Sequence, residues 1–160
     1  MQRYLQYALI TLALVVLQTT IIPFISVANT VPDVMVIWIV YIAVQAGQIP
    51  ATVAGFAAGI AIDLISGQFL GLSALSKTIA GFLAGYFYSD NKIEQTLGSY
   101  RFLLVVALAS FIHNVVYFTI FVQGTNTGLF TAVFQFGILS TMYTTAAALF
   151  PVFSFHRKLA

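Results

Sequence analysis

What most constrains this chain is how little charge it carries and how that charge is placed. Six Lys or Arg and four Asp or Glu are spread over 160 residues, and 61% of the chain is hydrophobic. A soluble domain has roughly a quarter of its residues charged, so there is too little charge here to cover a water-facing surface. The chain reads as an integral membrane protein almost from end to end, without a separate soluble domain. Its longest polar stretch, residues 89–101, is too short to fold alone. A net charge of +2 gives no footprint for nucleic acid. The lack of cysteine removes disulfides, thiolate metal sites and thiol catalysis.

A spanning helix needs about 20 apolar residues. Six are expected, over about residues 4–22, 33–46, 51–65, 72–88, 102–122 and 129–150. Pro23 and Pro151 stop the first and the last, and Pro32-Asp33 opens the second, where proline and an acid suit a helix start. The N-terminal apolar run is longer than a signal-peptide core, and Ser26-Val-Ala28 is a poor cleavage site, so the first helix is read as uncleaved. The second and third helices are short. They fit a locally thin crossing or a re-entrant hairpin, and either returns the chain to the same side. Arg3, Lys92, Arg101, Arg157 and Lys158 all fall on the side that holds the termini. By the positive-inside rule that side is cytoplasmic. The expected fold is an all-α, six-helix transmembrane bundle forming a single domain, 1–160, in a cytoplasmic membrane.

Within this apolar background, Gly55, Gly59 and Asp63 recur every four residues and share one helix face. Ser73, Lys77, Gly81 and Gly85 do the same on the next helix. Small residues at this spacing let helix backbones approach closely, and a charge at membrane depth usually has a partner. Lys77 is the nearest cation to Asp63, so an internal Asp63–Lys77 pair locking a helical hairpin is the plainer expectation. A polar anchor for a partner helix or ligand is the alternative. On the fifth helix Ser110, Asn114 and Tyr117 share a face with His113 at its edge, which suits interhelical hydrogen bonding better than a proton relay. His113 has no second ligand at metal spacing. There is no P-loop, zinc-protease motif or nucleophile elbow. No catalytic, cofactor or metal site is expected.

These residues resemble the MreD family of rod shape-determining proteins. The likeness is carried by Pro32-Asp33 and the following Val34-Met-Val-Ile-Trp-Ile-Val-Tyr41. It continues through Gly55-Phe-Ala-Ala-Gly59, Asp63-Leu-Ile-Ser-Gly67, Leu70-Gly71-Leu72-Ser-Ala-Leu75 and Ala80-Gly81-Phe-Leu-Ala-Gly85. It extends over the whole chain and is specific over about residues 32–85. The resemblance implies a non-enzymatic subunit of the bacterial elongation machinery that binds MreC. Through MreC it would connect to the filament MreB and to the RodA–transpeptidase pair that builds lateral peptidoglycan. It also implies an architecture similar to the S-components of energy-coupling-factor transporters, with a groove open to the outside. On that reading the small stripes of the third and fourth helices help form a docking surface, with Pro32, Asp33 and the Gly67–Gly71 loop at its periplasmic rim. A vitamin-binding S-component is the alternative, although Ala8 and Ala13 on the first helix lack the four-residue spacing expected for docking a coupling subunit. A transporter or channel using Asp63, Lys77 and His113 is a third reading, for which the polar groups are few and scattered.

Overall fold

The computed structural model describes residues 2–27, 30–67, 69–124 and 128–159, with side chains as far as Ser154. Ala28, residues 125–127 of the expected turn at 123–128, and the side chains of His156, Arg157 and Lys158 lie outside the described residues. Among the described residues the regular structure is all helical, apart from one isolated bridge between Val27 and Thr30.

The centre of the bundle is α2 (Val34–Ala46). Met35, Val36, Ile39, Val40, Ile42 and Ala43 are all fully buried, and the helix is apolar around its circumference, as a helix enclosed on every side must be. It follows α1 (Gln2–Thr20) and a 3-10 turn over Ile22–Ile25. Trp38 Nε1 donates to Thr11 Oγ1 at 2.9 Å and Tyr7 donates to Gln45 Oε1 at 3.1 Å, which ties α1 to α2. Gly47, with φ +90°, makes the one-residue corner into α3 (Gln48–Ser66).

Two helix boundaries differ from the sequence expectation for one reason. α3 starts at Gln48 instead of after Pro50, and the final helix does not stop at Pro151. In both places proline occupies the first turn of a helix, where the missing N–H has no intrahelical acceptor to lose. The gain makes α3 19 residues long and, among the described residues, one of three helices long and apolar enough to cross a membrane, with Tyr100–Phe121 and Leu129–Ser154.

α4 (Leu72–Ala84) gives way to a 3-10 turn at Gly85–Phe87, short of the expected end at residue 88. The polar segment after it contains a short α5 (Ile93–Leu97) before α6 (Tyr100–Phe121). The last helical stretch is built of α7 (Leu129–Thr131), a π-helix over Ala132–Gly137, α8 (Ile138–Ala147) and α9 (Leu149–Leu159). Leu5, Leu9 and Leu12 on α1, Val53, Phe56 and Leu64 on α3, and Phe130, Phe134 and Met142 in the last stretch are all exposed. A surface this apolar suits lipid and not water.

The tightest seam is between α3 and α4. A Cβ added at Gly59 would lie 2.3 Å from Ala74 Cα, and one at Gly55 would lie 2.6 Å from the Lys77 carbonyl oxygen. From the other side, a Cβ at Gly81 would meet the Ala51 carbonyl oxygen at 2.7 Å and one at Gly85 the Gln48 Cα at 2.4 Å. Each glycine stripe is therefore filled by the main chain of the facing helix. Both are spent on an intramolecular contact, and a third helix cannot enter there.

Candidate functional site

The expected pairing of Asp63 with Lys77 is not what forms. Asp63 lies near the C-terminal end of α3, and α4 begins at Gly71, which has no side chain to cap the helix. The chain doubles back through Gly67 and Gly71, at φ +63° and +95°. That brings the Asp63 carboxylate over the first turn of α4, where it accepts from the N–H groups of Gly71 (2.9 Å), Ser73 (3.1 Å) and Ala74 (3.3 Å). The first turn of any helix leaves its N–H groups without partners, and a buried carboxylate satisfies them with charge-assisted bonds. Asp63, 1% exposed, is a cap supplied from the preceding helix.

Lys77 turns the other way. Its Nζ lies 2.5 Å from Asp33 Oδ2, and His113 Nε2 lies 3.3 Å from the same oxygen. The cluster joins the start of α2, the second turn of α4 and the middle of α6. Asp33 holds more than the cation. Its Oδ1 accepts from Val36 N at 3.1 Å as the α2 cap, and its own N–H donates to Thr144 Oγ1 at 3.0 Å. Gln18 of α1 closes this rim: its Nε2 donates to the Pro32 carbonyl at 3.2 Å, and its Oε1 accepts from Val34 N at 3.0 Å. The sequence singles out Asp33 and Lys77 separately. It does not join them, because they are 44 residues apart. Gln18 and Thr144 are missed altogether; a glutamine in the last turn of the mainly apolar α1 was the available signal for the first.

Above this cluster opens a cavity of about 480 Å³, within the range of small-molecule sites. Asp33, Lys77, His113, Asn114 and Tyr117 all line it, with Ser73 and Ser140. Gly55, Gly59, Gly81 and Gly85 do not, and Ser110 is buried outside it. Asn114 Nδ2 donates to the Gly137 carbonyl (3.2 Å) and to Thr141 Oγ1 (3.0 Å). That fastens α6 to the end of the π-helix, a distortion common near functional sites. The Tyr117 ring lies 5.9 Å from the His113 ring and stacks on Phe121. Among the described residues no three His, Cys, Asp or Glu side chains converge as metal ligands would.

Helices of this length and surface, around a buried charge cluster, define a membrane protein built as an all-α bundle. Residues 1–159 match the family model described as rod shape-determining protein MreD, and the chain belongs to that family. The family is one of shape-determining membrane proteins and not a known family of enzymes. No curated protein and no solved structure matches the chain.

Proposed function

We propose that this chain is the membrane scaffold subunit of the bacterial elongation complex, a six-helix protein of the inner membrane with both termini in the cytoplasm. It binds MreC and so connects to MreB and the RodA–transpeptidase pair. The observation that carries this reading is the family match over residues 1–159. The cluster at the start of α2 adds a location. With the glycine stripes closed by the facing main chain, the surface left for a partner is the rim around Asp33, Lys77 and Gln18, together with the α3–α4 loop at Gly67 and Gly71. By the positive-inside count this end faces the periplasm. Asp33 and Lys77 fix the rim's shape, and the mouth residues Thr19, Ile65 and Ser66 meet the partner.

The test is co-purification of the untagged protein with tagged MreC of the same organism. Wild type is expected to co-purify. Ser66→Trp, which alters an exposed residue at the mouth, is expected to fold and to lose the partner. Retention of MreC by that variant moves the interface elsewhere, and failure of the wild type to bind removes the scaffold reading. The 480 Å³ polar cavity favours one second reading, a small-molecule-binding S-component. A vitamin-like compound found by mass spectrometry in protein that does not bind MreC is the result that selects it.

A further inference from the structure

A separate cavity of about 370 Å³ lies at the other end of α4 and α6, between the segment after α4 and the first turns of α6. The segment 88–101 carries four charged side chains, Asp90, Lys92, Glu94 and Arg101. They are sorted: both cations line the cavity and neither acid does. Asp90 instead accepts a hydrogen bond from Tyr88. Neither Lys92 nor Arg101 has an ion-pair partner among the described residues. The N-terminus of the 22-residue α6 adds its positive end at the same place.

Apart from Ser89 and Thr96 the rest of the lining is apolar, and most of it runs down α6. Arg101, Leu104 and Leu108 share a face of α6, and Leu108 lies about 10 Å deeper along the axis than Arg101. Leu104 is 62% and Leu108 44% exposed, so this stripe is open to surrounding lipid. Phe87 adds an aromatic ring to the lining from the segment after α4. A cationic head with an apolar track below it fits neither a soluble anion, which has no use for the track, nor a neutral lipid, which leaves both cations unanswered.

We propose that this cavity binds an anionic phospholipid. The phosphate meets Lys92 and Arg101 with Ser89 beside them, and one acyl chain runs down Leu104 and Leu108. Basic pockets at the ends of membrane helices take such headgroups, each cation adding to the preference. The site is independent of the partner rim, which lies at the other end of the bundle.

The test uses the full chain, delipidated in neutral detergent, with bound lipid counted by native mass spectrometry. Phosphatidylglycerol is expected to be retained about tenfold over phosphatidylcholine of the same chains, a preference within the reach of two such cations. Lys92→Gln/Arg101→Gln, which alters two exposed side chains, brings that ratio close to one, while Glu94→Gln leaves it unchanged. Glycerol 3-phosphate at equal concentration does not displace the lipid. Equal retention of the two lipids by wild type, a preference that survives the double substitution, or displacement by glycerol 3-phosphate each overturns the proposal.

Discussion

The two faces of α4 solve the problem of close packing in opposite ways. Toward α3 it presents Gly81, with Gly85 just past its end, and receives Gly55 and Gly59, and the backbones of the two helices come into close contact. Toward α2 and α6 it presents Lys77, and the gap is bridged by a paired charge beside an open cavity. The first seam is rigid because there is no volume to rearrange. The second is specific because Lys77 and His113 both converge on Asp33 Oδ2, and it leaves an open cavity beside them.

The largest effect is expected from forcing a side chain into the first seam. Gly59→Leu puts atoms where the Ala74 backbone already lies, within 2.3 Å at the first carbon. Overpacking commonly costs about 1–3 kcal/mol even when a side chain can yield, and here the obstacle is main chain. The variant should fail to give a monodisperse peak in detergent. Gly67→Ala should fold, since nothing lies within 4 Å of its Cβ position and only its φ of +63° resists substitution. If Gly59→Leu is as stable as Gly67→Ala, the seam is not closed.

Next come the charges of the second face. Lys77→Met leaves Asp33 without its cation in a site where the side chain is 15% exposed. Breaking a buried pair from one side costs about 3–5 kcal/mol, more than removing both partners. Thermal unfolding should therefore show Lys77→Met recovering when Asp33→Asn is added, since asparagine keeps an acceptor for Val36 N. Asp63→Asn should give no such recovery. The effects of Asp63→Asn and Lys77→Met should add, because Asp63 serves the α4 N-terminus and not the lysine. Rescue of Lys77→Met by Asp63→Asn, and not by Asp33→Asn, would restore the pairing that sequence proximity suggests.

That reversal marks how far the sequence can be read. Hydropathy reads the chain as a run of apolar helices, but Pro50 and Pro151 lie within helices where the sequence suggests ends, and the four-residue glycine spacing falls on the two helices whose backbones approach closely. Which stripe meets which is not written in the spacing, because the same pattern serves a neighbour in the chain or a separate partner. The charges are harder. Asp63 and Lys77 are near in sequence and opposite in sign, yet the sharp turn through two positive-φ glycines points Asp63 at main-chain N–H groups. Lys77 is left for a carboxylate that arrives from a helix 44 residues earlier. Competition between a helix terminus and a cation for one carboxylate is a three-dimensional matter. The absent cap residue at Gly71 was its only trace in the sequence.

Asp63→Ala should cost less than the broken pair, about 2–3 kcal/mol, as hydrogen bonds to a charged group contribute about 1.5–3 kcal/mol. Because the lost acceptor leaves the first turn of α4 unsatisfied, amide exchange should rise at Gly71, Ser73 and Ala74 before it rises in α2. Uniform loss of protection across the bundle would instead mean that Asp63 acts on global packing.

The smallest effect should be found where the second face reaches the π-helix. Asn114→Ala removes the amide donor to Gly137, but the same carbonyl also accepts from Thr141 Oγ1 at 2.8 Å. A carbonyl that keeps one partner is not orphaned, so the loss should be about 0.5–1.5 kcal/mol, the net value of an ordinary hydrogen bond. Thr141→Val alone should cost a similar amount for the same reason. Together they strip the carbonyl of both side-chain donors, and the double variant should be worse than the sum by at least about 0.5 kcal/mol, as expected for residues in one network. Strict additivity in detergent unfolding would show that the two donors act separately, and that the π-helix wall of the cavity is held by packing against α6 and not by Asn114.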